Sequence, residues 1–131
     1  MTWKALHISQ TIERSVDQVI AFASDPRNLP LWAGGLSTGI RRQDGRWVTD
    51  SPMGVVEVAF VGPAVTGVLD HDLTLPDGTV VHNPMRVLHN DRGSEVVFTL
   101  YQRPGMSDQE LARDAAMVRA DLTRLCDLLT Q

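Results

Sequence analysis

The stretch "RPGMSDQELARDAAMVRADLTRLCDLLTQ", residues 103–131, constrains the fold more than any other part of the chain. Ser107 stands as a helix N-cap with Glu110 three residues on, the reciprocal pattern of a capping box, and Met106 and Leu111 are spaced as a hydrophobic staple. Asp108 and Glu110 also suit the positive end of a helix dipole. Leu111, Ala115, Val118, Leu122, Leu125 and Leu129 then recur at 4-3-4-3-4 spacing, one continuous apolar stripe. A helix from residue 108 to about 130 runs roughly 34 Å, and its stripe needs an apolar surface of similar length. A parallel coiled-coil dimer would use the stripe but leave the strands of the chain uncovered. A curved antiparallel sheet supplies the surface from within the chain.

The rest of the sequence supplies that sheet. "ALHISQTI", residues 5–12, alternates: Leu6, Ile8 and Ile12 share one side with the exception Gln10, opposite His7, Ser9 and Thr11. Ser15 then caps a helix with Gln18 at the capping-box position and Val16, Val19, Ile20 and Ala23 as its apolar stripe. Pro26 and Pro30 disfavour helix in the residues before them, so a turn or second small helix carries Leu29, Leu31 and Trp32. From about residue 36 to 102 the pattern is strand and turn, punctuated at Gly45, Pro52-Met53-Gly54, Gly62-Pro63, Pro76-Asp77-Gly78 and Asp91-Arg92-Gly93. Val56, Val58 and Phe60 alternate with Glu57 and Ala59; Val96, Phe98 and Leu100 alternate with Val97, Thr99 and Tyr101. That phase puts Tyr101 outside.

Composition narrows the function classes. A chain of 131 residues, 43% hydrophobic and 21% charged, is expected to form one globular domain over 1–131. The formal net charge of −4 offers no electrostatic footprint for nucleic acid. Cys126 is the lone cysteine, so neither an internal disulfide nor a cysteine-based zinc site can form. The start "MTWKALHISQ" lacks an apolar stretch of signal length, and no run approaches a membrane span. The expectation is a cytoplasmic protein with no membrane partner. "GPAVTG" and "GGLSTG" lack following helix signals and read as turns, not phosphate loops.

This order resembles the START-like (SRPBCC) superfamily, and within it the small bacterial polyketide cyclase/dehydrase-like proteins. The resemblance is carried by "HISQTIERSVDQVIAFASDPRNLPLW" at the front and "RPGMSDQELARDAAMVRADLTRLCDLL" at the end, and it covers the whole chain. It implies an α+β helix-grip fold: a curved antiparallel β-sheet wrapped around a long C-terminal α-helix, with two small helices after strand 1 and six further strands between. It also implies a deep cavity between sheet and helix, without naming a ligand or a universal catalytic motif.

Within "LDHDLTLPDGTVVHN", residues 69–83, a histidine stands between two aspartates. Neighbours on a strand point to opposite faces, so His71 and the pair Asp70 and Asp72 are separated and form no dyad. Pro76 and Gly78 fit a type I turn with a left-handed third residue, which pairs Leu75 with Thr79 and hence Leu73 with Val81, His71 with Asn83, and Leu69 with Met85. One face then reads Leu69, His71, Leu73, Val81, Asn83 and Met85. The other reads Asp70, Asp72, His82 and Arg86, a solvent face with an exposed Asp72–His82 pair.

Two readings of His71 stand: a core histidine satisfied by Asn83, or a pair projecting into the cavity to orient a ligand. The ligand-lining candidates are His71, Asn83, Met85, Trp32, Leu69, Leu73, Gln10 and Met117. No cofactor is expected, and no metal, because one His plus one Asn is too few ligands. A bulge at Pro84, which cannot donate to the ladder, would turn Arg86 inward. Three functions follow as expectations. The first is a binder of a small hydrophobic molecule, aromatic or polyketide-like ones among the candidates. The second is a cyclase/dehydrase-type enzyme with His71 as catalytic general acid/base. An interaction module like the heat-shock co-chaperones ranks last, since no exposed patch is evident. The sequence leaves open a homodimer through the sheet edge or helix.

Overall fold

In the computed structural model, which describes residues 1–36 and 38–131, β1 spans Ala5–Ile12 and α1 Val16–Ala23. The entry to α1 is the expected capping box. Ser15 Oγ accepts from the Gln18 N–H, and Gln18 Oε1 accepts from the Ser15 N–H, both at 3.2 Å. A 3-10 turn at Pro26–Asn28 leads into α2, Leu29–Trp32. Seven strand segments follow, all antiparallel: β2 Arg41–Gln43, β3 Arg46–Ser51, β4 Gly54–Phe60, β5 His71–Thr74, β6 Val80–Asn83, β7 Met85–Asn90 and β8 Gly93–Tyr101. α3 closes the chain at Asp108–Leu129 with the second capping box, Ser107 Oγ to the Glu110 N–H at 3.1 Å.

The strands order as β1-β8-β7 and β2-β3-β4-β5-β6. These two groups are one surface, because β6 and β7 are a single course of chain interrupted at Pro84. The β5–β6 register runs on past the break: Leu69 N–H donates to Met85 O at 2.8 Å, Val87 N–H donates to Gly67 O at 2.9 Å, and Val68 bridges Arg86. Thr99 N–H meanwhile reaches Pro84 O at 2.9 Å from β8. With β6 and β7 counted together, the six strands expected between the small helices and α3 are present. Gly67 is required at the junction. Its φ is +87°, and a Cβ there would fall 2.4 Å from Val87 O.

α3 lies chiefly along β1 and β8, with α1 against β7 and β8 and α2 against α3. Its Leu111, Ala115, Leu122 and Leu125 are buried against Ile8, Phe98 and Leu100 of the sheet, while Val118 and Leu129 pack at the rim. Gln102, in phase with the apolar face of β8, has a local task. Its Nε2 donates to Met106 O at 3.0 Å and to Asp108 Oδ1 at 2.9 Å, tying the end of β8 to the start of α3. Tyr101 lies on the outer face under Trp3, ring centroids 6.2 Å apart. Among the described residues no helix is long and apolar enough to cross a membrane.

Leu125 has no exposed surface, so Leu125→Ala is expected to cost about 2–5 kcal/mol in urea denaturation. Ser107→Ala, which removes only a cap, is expected to cost about 1 kcal/mol. A Leu125→Ala loss no larger than that of the cap variant would mean that α3 is not packed as described.

Candidate functional site

The turn that sets the site follows the sequence expectation. Gly78 has φ +89°, its N–H donates to Leu75 O at 2.9 Å, and Leu75 N–H donates to Thr79 O at 2.8 Å. The register that results pairs His71 with Asn83, Asp72 with His82 and Leu73 with Val81. Continued across β4 and β3 it puts Phe60 beside His71, and Trp47 and Val58 in one row with Leu73 and Val81. His71 faces the helix side. Its ring sits between Phe60, centroids 5.7 Å apart, and the core residue Phe98, 5.8 Å apart.

The hydrogen bonds of His71 differ from the expected His71–Asn83 pair. An undisturbed antiparallel pair would send the Met85 N–H to Leu69 O. Beside the proline that N–H goes instead to Asp70 Oδ1, at 3.0 Å. His71 Nδ1 lies 3.1 Å from Leu69 O. A carbonyl oxygen can only accept, so Nδ1 carries the proton and Nε2 presents a lone pair. Burial, the largest influence, pushes the His71 pKa below the ordinary histidine range, with the Leu69 carbonyl and Asp70 opposing in part. The neutral ring is therefore the form held at neutral pH. No described hydrogen bond uses Nε2 or the Asn83 amide.

The outer face requires one correction. Asp70 is only 8% exposed, not a solvent-face residue. Besides the Met85 N–H it accepts from Arg86 Nε at 2.9 Å and Arg86 Nη2 at 3.0 Å. Arg86 stays on this outer face, so Pro84 does not turn the arginine inward. The Arg86 hydrogen bonds hold the Asp70 carboxyl below the usual carboxylate range, with desolvation opposing and the Met85 N–H assisting. Asp72 Oδ1 and His82 Nδ1 form the expected surface pair at 2.6 Å.

Comparison with known proteins agrees with this architecture. No family model and no curated protein matches the chain in sequence. Among solved structures, an uncharacterised Bacillus thuringiensis protein superposes with a TM-score of 0.74 at 16% identity, covering 98% of this chain and 100% of that one. DynU16, from the dynemicin biosynthetic locus, gives 0.68 at 20% identity, with 95% of this chain on 46% of the longer neighbour. Ara h 8.0201 gives 0.65 at 10% identity over 96% and 97% of the two chains. The chain has the START-like helix-grip fold.

Within the START-like frame the remaining candidates separate. Leu69 and Met85 are fully enclosed, so they back the wall and offer no surface to a ligand. His71, Leu73, Val81 and Asn83 each keep partial exposure and form the accessible part of the concave face, with Trp47 and Phe60 beside them. Trp32 is 4% exposed and belongs to the core, its indole N–H without a partner among the described residues. Its carbonyl accepts from Arg124 Nε at 3.2 Å, and Gly34 N–H donates to Asp121 Oδ1 at 3.0 Å, so Asp121 and Arg124 clasp α2 to α3. Met117 is 49% exposed on α3. Gln10 points inward but away from His71. It lines an open concavity of about 240 Å³ with His7, Ser9, Arg119 and Thr123.

A second open concavity, about 430 Å³, lies at Glu13, Arg14, Ser15, Gln18, Arg92 and Gly93. Neither includes His71, and the space under β1 and β8 is filled by packed core. Neither concavity is the deep cavity between sheet and helix that the resemblance implies; over β4–β6 the structure shows partly exposed side chains. Among the described residues no group of three metal-ligating side chains is placed to hold an ion.

A depressed carboxylate pKa contributes stability above the unfolded value, about 3.9, and that contribution is lost as pH falls toward the lower folded value. Asp70→Asn is therefore expected to cost about 1–3 kcal/mol near neutrality, with the deficit shrinking below about pH 4. Urea denaturation across a pH series measures both, and a deficit independent of pH would assign Asp70 a purely steric role.

Proposed function

We propose that the protein binds a small hydrophobic molecule on the concave face of β4–β6, beneath the flank of α3. The carrying observation is that Trp47, Phe60, Leu73 and Val81, with the polar pair His71 and Asn83 among them, stay partly open to solvent while the neighbouring face under α3 is closely packed. Apolar side chains left partly uncovered on an inner face gain about 25 cal/mol for each Å² a ligand removes from water. A few polar groups within such a face fix orientation. One neighbour, DynU16, comes from a biosynthetic locus, which fits an aromatic or polyketide-like ligand.

The enzyme alternative, cyclase/dehydrase chemistry, rests on the same ring. A neutral His71 held by Leu69 O is a base available at neutral pH. In that case His71→Ala abolishes turnover while the fold survives; in a carrier it changes affinity only modestly.

Native mass spectrometry of freshly purified protein tests binding directly. The expected result is an adduct of small-molecule mass that disappears on denaturation and is much reduced in Leu73→Glu, a variant whose circular dichroism should match the parent. An adduct retained in full by a folded Leu73→Glu protein would place the ligand elsewhere, for instance at the Gln10 concavity.

A further inference from the structure

We propose that the face around His71 selects uncharged aromatic molecules carrying a hydroxyl donor, and that it discriminates against both carboxylates and molecules without a donor. This deepens the binding reading above and rests on it. The argument starts from the proton on Nδ1. Because Leu69 O accepts that proton at 3.1 Å, Nε2 is an acceptor only and can be satisfied only by a donor. An ether or ester oxygen placed there would set lone pair against lone pair, and a carboxylate would add charge repulsion.

Among the described residues the cation in register with this face is Arg42, which stacks over the Trp47 ring at 5.2 Å on the edge strand β2, three strands from His71. Arg86, the basic residue next to Asn83 and Met85 on the chain, is held on the outer face by two bonds to Asp70. The Asp70 and Asp72 carboxylates behind the ring further disfavour an anion, and His82 beside them is engaged with Asp72. Burial keeps the ring neutral, in agreement with the acceptor role.

The aromatic preference comes from the walls. Phe60 and Phe98 flank the imidazole at 5.7 and 5.8 Å, both inclined to it, and Trp47 lies in the adjoining row with Val58 and Leu73. Four neighbouring strands at ~4.8 Å spacing give a face roughly 14 Å across, room for one or two fused rings. A ring lying there meets aromatic faces and edges, the pairing that adds to simple area burial. Asn83, opposite His71, supplies an amide donor and acceptor for a second polar group on the same ligand.

The test uses three matched probes on the full chain at pH 7.5: 2-naphthol, 2-methoxynaphthalene and 2-naphthoate, each titrated by calorimetry. Naphthol is expected to bind about tenfold or more tightly than methoxynaphthalene, corresponding to one hydrogen bond of about 1.4 kcal/mol, and naphthoate most weakly. In His71→Phe the naphthol and methoxynaphthalene affinities should converge. Nitrogen-15 spectra of the histidines provide an independent reading, in which His71 is expected as the Nδ1–H tautomer. Equal binding of the two neutral probes by the parent protein overturns the acceptor assignment and leaves the binding face standing. Binding of none of the three overturns both. Preferential binding of naphthoate would mean that a cation reaches the face. If His71→Phe fails to fold, the ratio measured on the parent protein decides alone.

Discussion

The Asp70 carboxylate takes the Met85 N–H that the ladder would otherwise send to Leu69 O, and the arrangement around His71 follows from that exchange. At Pro84 the long strand β6–β7 stops pairing with β5 alone and begins to pair with β8 as well. Pro84 O takes the Thr99 N–H, and the Met85 N–H turns to the Asp70 carboxylate. Leu69 O, which would have accepted from Met85, then accepts from His71. That exchange goes with a nearly buried aspartate on the outer face, an arginine that neutralises it, and an inner histidine fixed in a single tautomer. A charge-assisted, two-pronged pair such as Asp70–Arg86 is also directionally strict, so the break at Pro84 is held from outside and Arg86 brings no charge to the inner face.

α3 contributes a different constraint. Its stripe is satisfied by β1, β8 and α2, where the core residues are almost all enclosed. The sheet is wider than the helix covers, and β4–β6 reach past its flank. The same geometry that gives the domain its buried core therefore leaves an apolar area only partly covered. Such an area lowers solubility unless something occupies it or it stays recessed. Here it carries the polar pair His71 and Asn83 among its apolar side chains. Stability and binding thus draw on adjacent but separate parts of one sheet, so changes on the β4–β6 face can alter affinity without disturbing the packing of Leu111, Leu122 and Leu125.

How much of this was readable in advance varies with the range of the interaction. The two capping boxes, the α3 stripe and the alternation of β1 and β8 are local patterns, and the elements appear where those patterns put them. The β5–β6 register was also legible, because Pro76 and Gly78 fix the turn and the turn fixes every later pair. What failed was the assignment of hydrogen-bond partners. Asn83 lies opposite His71 as expected, yet Leu69 O takes the Nδ1 proton, since the Asp70 side chain has taken the Met85 N–H. Asp70 lies on the outer face as expected but is nearly buried there, covered by Arg86 and the Met85 N–H. Alternation gives the face of a residue but not how deeply neighbouring segments cover it. Phe60 and Trp47 were missed as site residues because their proximity to His71 exists only once β3, β4 and β5 are in register.

The neutrality of His71 links the site to proton binding. In the unfolded chain the ring titrates near 6.5; in the fold, burial lowers that value. The sign follows from linkage: the contribution is fully present above the unfolded pKa and is lost as pH falls below it toward the folded one. The charged neighbours acting on the ring are Asp70, Asp72 and His82, while Phe60 and Phe98 carry no charge to oppose the shift. The proton that would charge the ring must enter at Nε2, since Nδ1 is already protonated. A ligand hydroxyl donating to the same lone pair competes with it. Coupling between two ligands is reciprocal, so a donor-bearing ligand lowers the histidine pKa by as much as acid weakens the ligand. A ligand that ignored Nε2 would show no such coupling through this ring, however much apolar area it buried. The pH dependence of affinity therefore separates orientation by His71 from simple apolar burial.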